Sequence, residues 1–116
     1  MKKQPVYRIM KKGLQTWVTE TPGYLYEIVT PHGTVTVGLI WINYHWFATH
    51  YDSGLDCTPA SNKHGEHLWR DKALLLDTVK DIPFHKFMHQ AQPYIDMVNK
   101  YKEASKYAEM DRKNRT

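Results

Sequence analysis

One cysteine in 116 residues leaves this chain without an intrachain disulfide. A lone Cys57 fits a reducing compartment and a fold held by its core. No run of about 18 apolar residues occurs, which excludes a membrane-spanning helix. The start, Met1-Lys2-Lys3-Gln4-Pro5, is charged, but no apolar stretch follows it, so no secretory signal is expected. The phosphate-loop pattern Gly-x4-Gly-Lys-Ser/Thr, the dinucleotide pattern Gly-x-Gly-x-x-Gly and the nucleophile elbow Gly-x-Ser-x-Gly are all missing. Nucleotide-dependent and hydrolase readings built on those motifs have no support. His-Glu-x-x-His is missing too, and one cysteine cannot supply the paired close spacing typical of structural zinc sites. The last shortage is local: residues 21–60 contain no lysine or arginine.

What is present describes one globular domain. Hydrophobic residues make up 41% and charged residues 24%, both ordinary for a folded chain. This length buries roughly two thirds of the unfolded surface, enough for one core. The net charge of +4 is unevenly spread. Residues 1–20 carry Lys2, Lys3, Arg8, Lys11 and Lys12 against Glu20 alone, and the middle third is slightly acidic. The last part mixes eleven basic with eight acidic residues. A modest basic excess fits ordinary solubility, and equally attraction to nucleic acid or acidic protein surfaces.

Turn signals recur at short intervals through residue 54, the signature of an antiparallel meander. Strands are predicted over Val6–Met10, Leu14–Thr19, Tyr24–Val29, Thr34–Ile42 and Trp46–Tyr51. The turns fall at Lys11-Lys12-Gly13, Thr21-Pro22-Gly23, Thr30-Pro31-His32-Gly33 and Asn43-Tyr44-His45. Residues 55–65 read as a loop. From Glu66 the apolar period becomes helical, with Leu68, Trp69, Leu75, Leu76 and Val79 on one face to about Lys80. A short helix over Phe84–Gln92 and a third from Pro93 to about Met110 follow. The third has a stripe of Tyr94, Met97, Val98, Tyr101, Ala104 and Ala108, which could dock on its own sheet or on a second copy of the chain. The expected architecture is α+β: an antiparallel meander of four to five strands, then two to three helices packed on one face. It forms a single domain over 1–110, with 111–116 as a frayed basic tail.

Histidine is abundant, at seven residues. His85 and His89 have the i, i+4 spacing that suits two imidazoles on one metal, and His64, His67 and Cys57 lie nearby in sequence. The plainer reading is surface and capping histidines, so no metal or other cofactor is expected. His50, Asp52 and Ser53 invite comparison with a hydrolytic triad. Alternating strand faces argue against that geometry, and they favour Thr49 and His50 satisfying backbone groups where the sheet ends.

Aromatics carry the clearest functional signal. Tyr24, Tyr26, Trp41, Tyr44, Trp46, Phe47 and Tyr51 crowd into the central meander. Half of them can cover a helix; the remainder form a surface that monomers avoid unless it binds something. Tyr24, Tyr26, Trp41, Tyr44, Trp46 and Tyr51 are therefore the candidate partner-binding residues. Aromatic sheets stack single-stranded bases, but such sites interleave arginine or lysine, which this stretch lacks. A protein partner is the favoured reading. Lys2, Lys3, Lys11 and Lys12 are the candidate nucleic-acid contacts, or else a solvated turn guarding an edge strand.

Around Trp46-x-x-Thr49-His50-x-x-Ser53-Gly54, followed by a loop and a helix, the chain resembles small uncharacterised bacteriophage proteins of meander-plus-helix type. The resemblance covers roughly residues 34–80 and implies no catalytic residue. It implies a phage or mobile-element product acting in the cytoplasm of a bacterial host. It also implies a non-enzymatic protein that binds and inhibits a host nucleic-acid-handling protein or ribonucleoprotein, such as a defence nuclease, in the manner of anti-CRISPR proteins. The alternatives are a small basic nucleic-acid-binding protein, and a histidine-dependent nuclease or metal-binding protein. A homodimer through the C-terminal helix is compatible with any of these.

Overall fold

The computed structural model describes residues 1–114. It is an α+β fold: a four-stranded antiparallel sheet in the order β1-β2-β3-β4, followed by two helices. The strands are β1 (Gln4–Lys12), β2 (Gln15–Thr30), β3 (Gly33–Ile42) and β4 (His45–His50). The helices are α1 (Lys72–Val79) and α2 (Met88–Asn114), with a 3₁₀ turn over Phe84–Lys86 between them.

The expected turn at Thr21-Pro22-Gly23 is not a turn. Residues 15–30 form one long strand that changes partner midway. Up to Gly23 it pairs with β1, and from Tyr24 it pairs with β3. Gly23 and Gly38 explain how the sheet folds at this junction. A Cβ on Gly23 would lie 2.6 Å from the Leu39 carbonyl oxygen and 2.9 Å from a Val6 methyl. A Cβ on Gly38 would lie 2.7 and 2.8 Å from the two Val6 methyls. Two bare backbones thus let β1 close onto the sheet, and Val6 is fully buried there. The proline and glycine that signal a turn in sequence instead serve close approach.

Alternation along the strands builds the main core. Ile28, Val37, Leu39 and Ala48 pack with Trp69, Leu75, Val79 and Phe84. The first helix starts later than its periodicity predicts, at Lys72 and not Glu66. Asp71 sets that boundary, since its carboxylate accepts the Leu74 N–H at 3.2 Å as an N-cap. Residues ahead of it stay extended because they are clamped to the sheet. The Trp46 N–H donates to the Trp69 carbonyl at 2.6 Å, and the Trp69 indole N–H donates to the Pro59 carbonyl at 2.9 Å. Trp69 is therefore core, as its apolar face predicts, while Leu68, placed on the same face by periodicity, is exposed.

The two later helices of the sequence reading merge. Only Phe84–Lys86 is separate, and α2 runs through Pro93. Pro93 sits near the helix start on an exposed face, so its missing N–H leaves only one carbonyl to the solvent. The α2 stripe docks in its first half on its own chain. Val98 is fully buried, Tyr101 meets Tyr7 edge-on at 5.8 Å, and the Lys11 ammonium donates to the Tyr94 hydroxyl at 2.9 Å. From Glu103 every described side chain is exposed, Ala104 and Ala108 included. The helix reaches Asn114, into the stretch expected to fray, and residues 115–116 of that stretch lie outside the described residues.

Candidate functional site

Strand register assembles an aromatic cluster at the end of the sheet near the β3–β4 hairpin. Trp41 faces Trp46 across β3 and β4, and Tyr24 faces Leu39 across β2 and β3. Trp41 and Trp46 meet edge-on with ring centroids 5.2 Å apart, and Trp46 lies 6.2 Å from Tyr24. These are attractive aromatic geometries, worth about 0.5–1.5 kcal/mol per pair beyond burial. Trp41 stays 46% exposed. The three rings line a shallow concavity of about 400 Å³.

Two cations line it and a third lies over two of its rings, all brought from outside residues 21–60. Lys3 and Arg70 line the same concavity, and the Lys3 ammonium lies 6.0 Å from the Tyr24 ring centre. The Lys72 ammonium sits 4.8 Å from Tyr24, 5.5 Å from Trp46 and 5.7 Å from Tyr26. Arg70 and Lys72 arrive here because buried Trp69 is bonded through its carbonyl to Trp46. That bond fixes the next residues beside the ring. Lys72 is also the first residue of α1, where the helix dipole disfavours a cation by about 0.3–1 kcal/mol. Sequence reasoning missed Arg70 and Lys72. The signal available for them was a tryptophan flanked by polar residues just before a cap, which marks an anchored segment.

The remaining candidates divide. Tyr26 joins the cluster under Lys72. Tyr51 does not: it packs against Tyr7 at 6.1 Å and under Lys102 at 4.7 Å. Tyr44 stands apart at the β3–β4 turn, 80% exposed. Asn43 and Tyr44 have φ of 52° and 66°. Such a two-residue turn favours glycine at its second position, so a tyrosine there holds strain of roughly 1–2 kcal/mol. The four lysines do not form one patch. Lys2 and Lys3 flank one end of β1, Lys11 and Lys12 the other, about 27 Å away at strand rise. Of the four, only Lys3 lines the aromatic concavity, and Lys11 is engaged by Tyr94.

His50 and Ser53 do meet, contrary to the expectation from alternating faces, because the chain turns sharply after β4. His50 Nδ1 and Ser53 Oγ are 2.7 Å apart, and both residues are buried. Gly54 donates to the His50 carbonyl, His50 donates to the Leu55 carbonyl, and Ile9 donates to the Gly54 carbonyl. The pair thus closes the turn that holds β1. Burial lowers the His50 pKa against an opposing pull from Asp52. Ser53 is fully buried, which withholds its hydroxyl from any substrate.

Among the described residues no group of three or more His, Cys, Asp and Glu could hold a metal ion. His85 stacks on His32 at 3.9 Å, and its pKa is lowered by desolvation and by the neighbouring His32 and Lys86. Burial pushes the Cys57 thiol up to about 12, which makes it a poor ligand and nucleophile.

No protein-family model matches the chain, and neither a curated protein nor a solved structure is found similar to it. Among the described residues no helix is long and apolar enough to cross a membrane.

Proposed function

We propose that this chain is a non-enzymatic binding protein that holds a short single-stranded stretch of nucleic acid on the Tyr24–Trp41–Trp46 face. One observation carries the reading: Lys3 and Arg70 line the concavity of the three rings, and Lys72 lies over Tyr24 and Trp46. Exposed aromatic faces stack bases of any sequence, and bordering cations take the phosphates. The shortage of lysine and arginine in residues 21–60 spoke against stacking, and cations from the N-terminus and the α1 entry remove that objection. Trp41 is the open stacking platform, Lys72 and Lys3 neutralise phosphate, and Arg70 does so in a planar, forked geometry.

The test is fluorescence anisotropy with a labelled oligothymidylate of about ten nucleotides, at about 50 mM salt and upward. Saturable binding that weakens with salt, and is weakened by Trp41→Ala, supports the reading. Absence of binding at low salt overturns it.

A second reading keeps the same face but gives it a protein partner, a host nucleic-acid-handling protein that the chain would inhibit. The resemblance to small bacteriophage proteins supports it, as does Tyr44. An exposed tyrosine kept in a strained turn is the kind of residue that anchors protein contacts. Tyr44→Ala separates the two: it weakens a protein contact and leaves oligonucleotide affinity unchanged.

A further inference from the structure

A second cavity, of about 390 Å³, lies between the segment after β4 and the start of α2. Its walls are largely apolar, from Leu55, Cys57, Pro59, Ile82, Phe87 and Ala91. At its inner wall stands His50, only 7% exposed. The hydrogen-bond logic of His50 fixes what it offers. Ser53 Oγ accepts the Leu55 N–H at 3.2 Å, so the hydroxyl proton of this fully buried serine must go elsewhere. Among the described residues the one acceptor recorded beside it is His50 Nδ1, at 2.7 Å. Nδ1 therefore accepts, and the neutral ring carries its hydrogen on Nε2. Burial favours that neutral form. Nε2–H has no partner among the described residues. Yet no described buried side-chain polar atom lacks one, so Nε2 is the accessible edge of the ring, and the ring lines this cavity.

We infer that this cavity is a binding site for a small, uncharged, largely apolar molecule with one hydrogen-bond acceptor, seated by the Nε2–H of His50. Apolar walls with one or two placed polar groups are the usual construction of small-molecule sites, and the volume is in their range. Among the described residues no lysine or arginine lines the cavity, and the Asp56 carboxylate at its wall, held by the Thr58 hydroxyl at 2.6 Å, repels anions. A carbonyl group satisfies the donor without bringing a charge. This site is separate from the aromatic face and does not depend on the nucleic-acid reading.

Acetophenone and ethylbenzene are of similar size, and a carbonyl in one replaces a methylene in the other, so they serve as the probe pair. Titrations followed by amide NMR shifts should saturate for both, with the shifts centred on Leu55, Cys57 and Ala91. Acetophenone should bind about five-fold more tightly, the size of effect one net hydrogen bond gives. Nitrogen-15 spectra of the free wild-type protein should show the His50 hydrogen on Nε2. Met88→Trp, at the exposed rim, should block both probes. Ser53→Ala frees Nδ1 and should abolish the preference for acetophenone; if that variant does not fold, the wild-type ring spectrum reads the same point. Failure of both probes to saturate overturns the site. Equal affinities, or a hydrogen on Nδ1, overturn the role of His50.

Discussion

Gly38→Ala is the sharpest test of how this sheet closes. The new Cβ would stand 2.7 and 2.8 Å from the two Val6 methyls, and 3.3 Å from the Val6 Cβ. Carbon atoms settle at about 3.5–4.0 Å, so the strands must part by close to an ångström or Val6 must turn. Turning does not help, because valine is stiff at χ1 and both methyls are in the way. Overpacking of this kind costs about 1–3 kcal/mol, and the upper end is expected here. Val6→Ala alone removes two buried methyls, a loss of about 2 kcal/mol. Together the two changes should cost at least 1 kcal/mol less than their sum, since the small partner admits the new methyl. Urea denaturation followed by tryptophan fluorescence measures all three variants. A Gly38→Ala effect below about 0.5 kcal/mol, or strict additivity, would refute the close approach of β1.

Other consequences are as definite. Leu75→Ala should lose roughly 2–5 kcal/mol in the same assay, since Leu75 is fully buried in the core from α1. Tyr44→Gly should raise stability by about 1 kcal/mol and the melting temperature by a few degrees, by relieving the positive φ. Lowering the pH should destabilise the fold: the folded His50 pKa lies below its usual value, so the unfolded chain takes up the proton first. That stability is complete above about pH 6.5 and is lost as pH falls below it. His85 pulls in the same direction, so melting curves of His50→Gln on a His85→Gln background isolate the contribution; an unchanged pH slope there would count against it.

Strand alternation and short links made the meander legible in the sequence, and the buried position of Val79 follows from helical periodicity. The β2 continuity was not legible, because Thr-Pro-Gly is turn chemistry. Only the proximity of Leu39, Ile40 and Val6, all remote in sequence, shows why Gly23 must be small. The α1 start was overrun because Trp69 is apolar at helical spacing, yet it is buried from an extended segment. In the candidate site, the rings were visible and the cations were not. Arg70 and Lys72 reach Trp46 through one long-range backbone hydrogen bond, and local sequence encodes no such pairing. The His50–Ser53 contact was hidden for a different, local reason: β4 ends at His50, and the turn over residues 51–53 breaks the strand alternation.

The claim that rings and cations form one nucleic-acid site is tested most directly by the salt dependence of oligothymidylate binding. Each phosphate neutralised on a single strand contributes about −0.7 to the slope of log affinity against log salt, so Lys3, Arg70 and Lys72 together give about −2. Arg70→Ala should bring that slope to about −1.4, and Trp41→Ala should cost roughly 1–3 kcal/mol of affinity with little change in slope. A wild-type protein that fails to bind at low salt, or a slope indifferent to Arg70, contradicts the account.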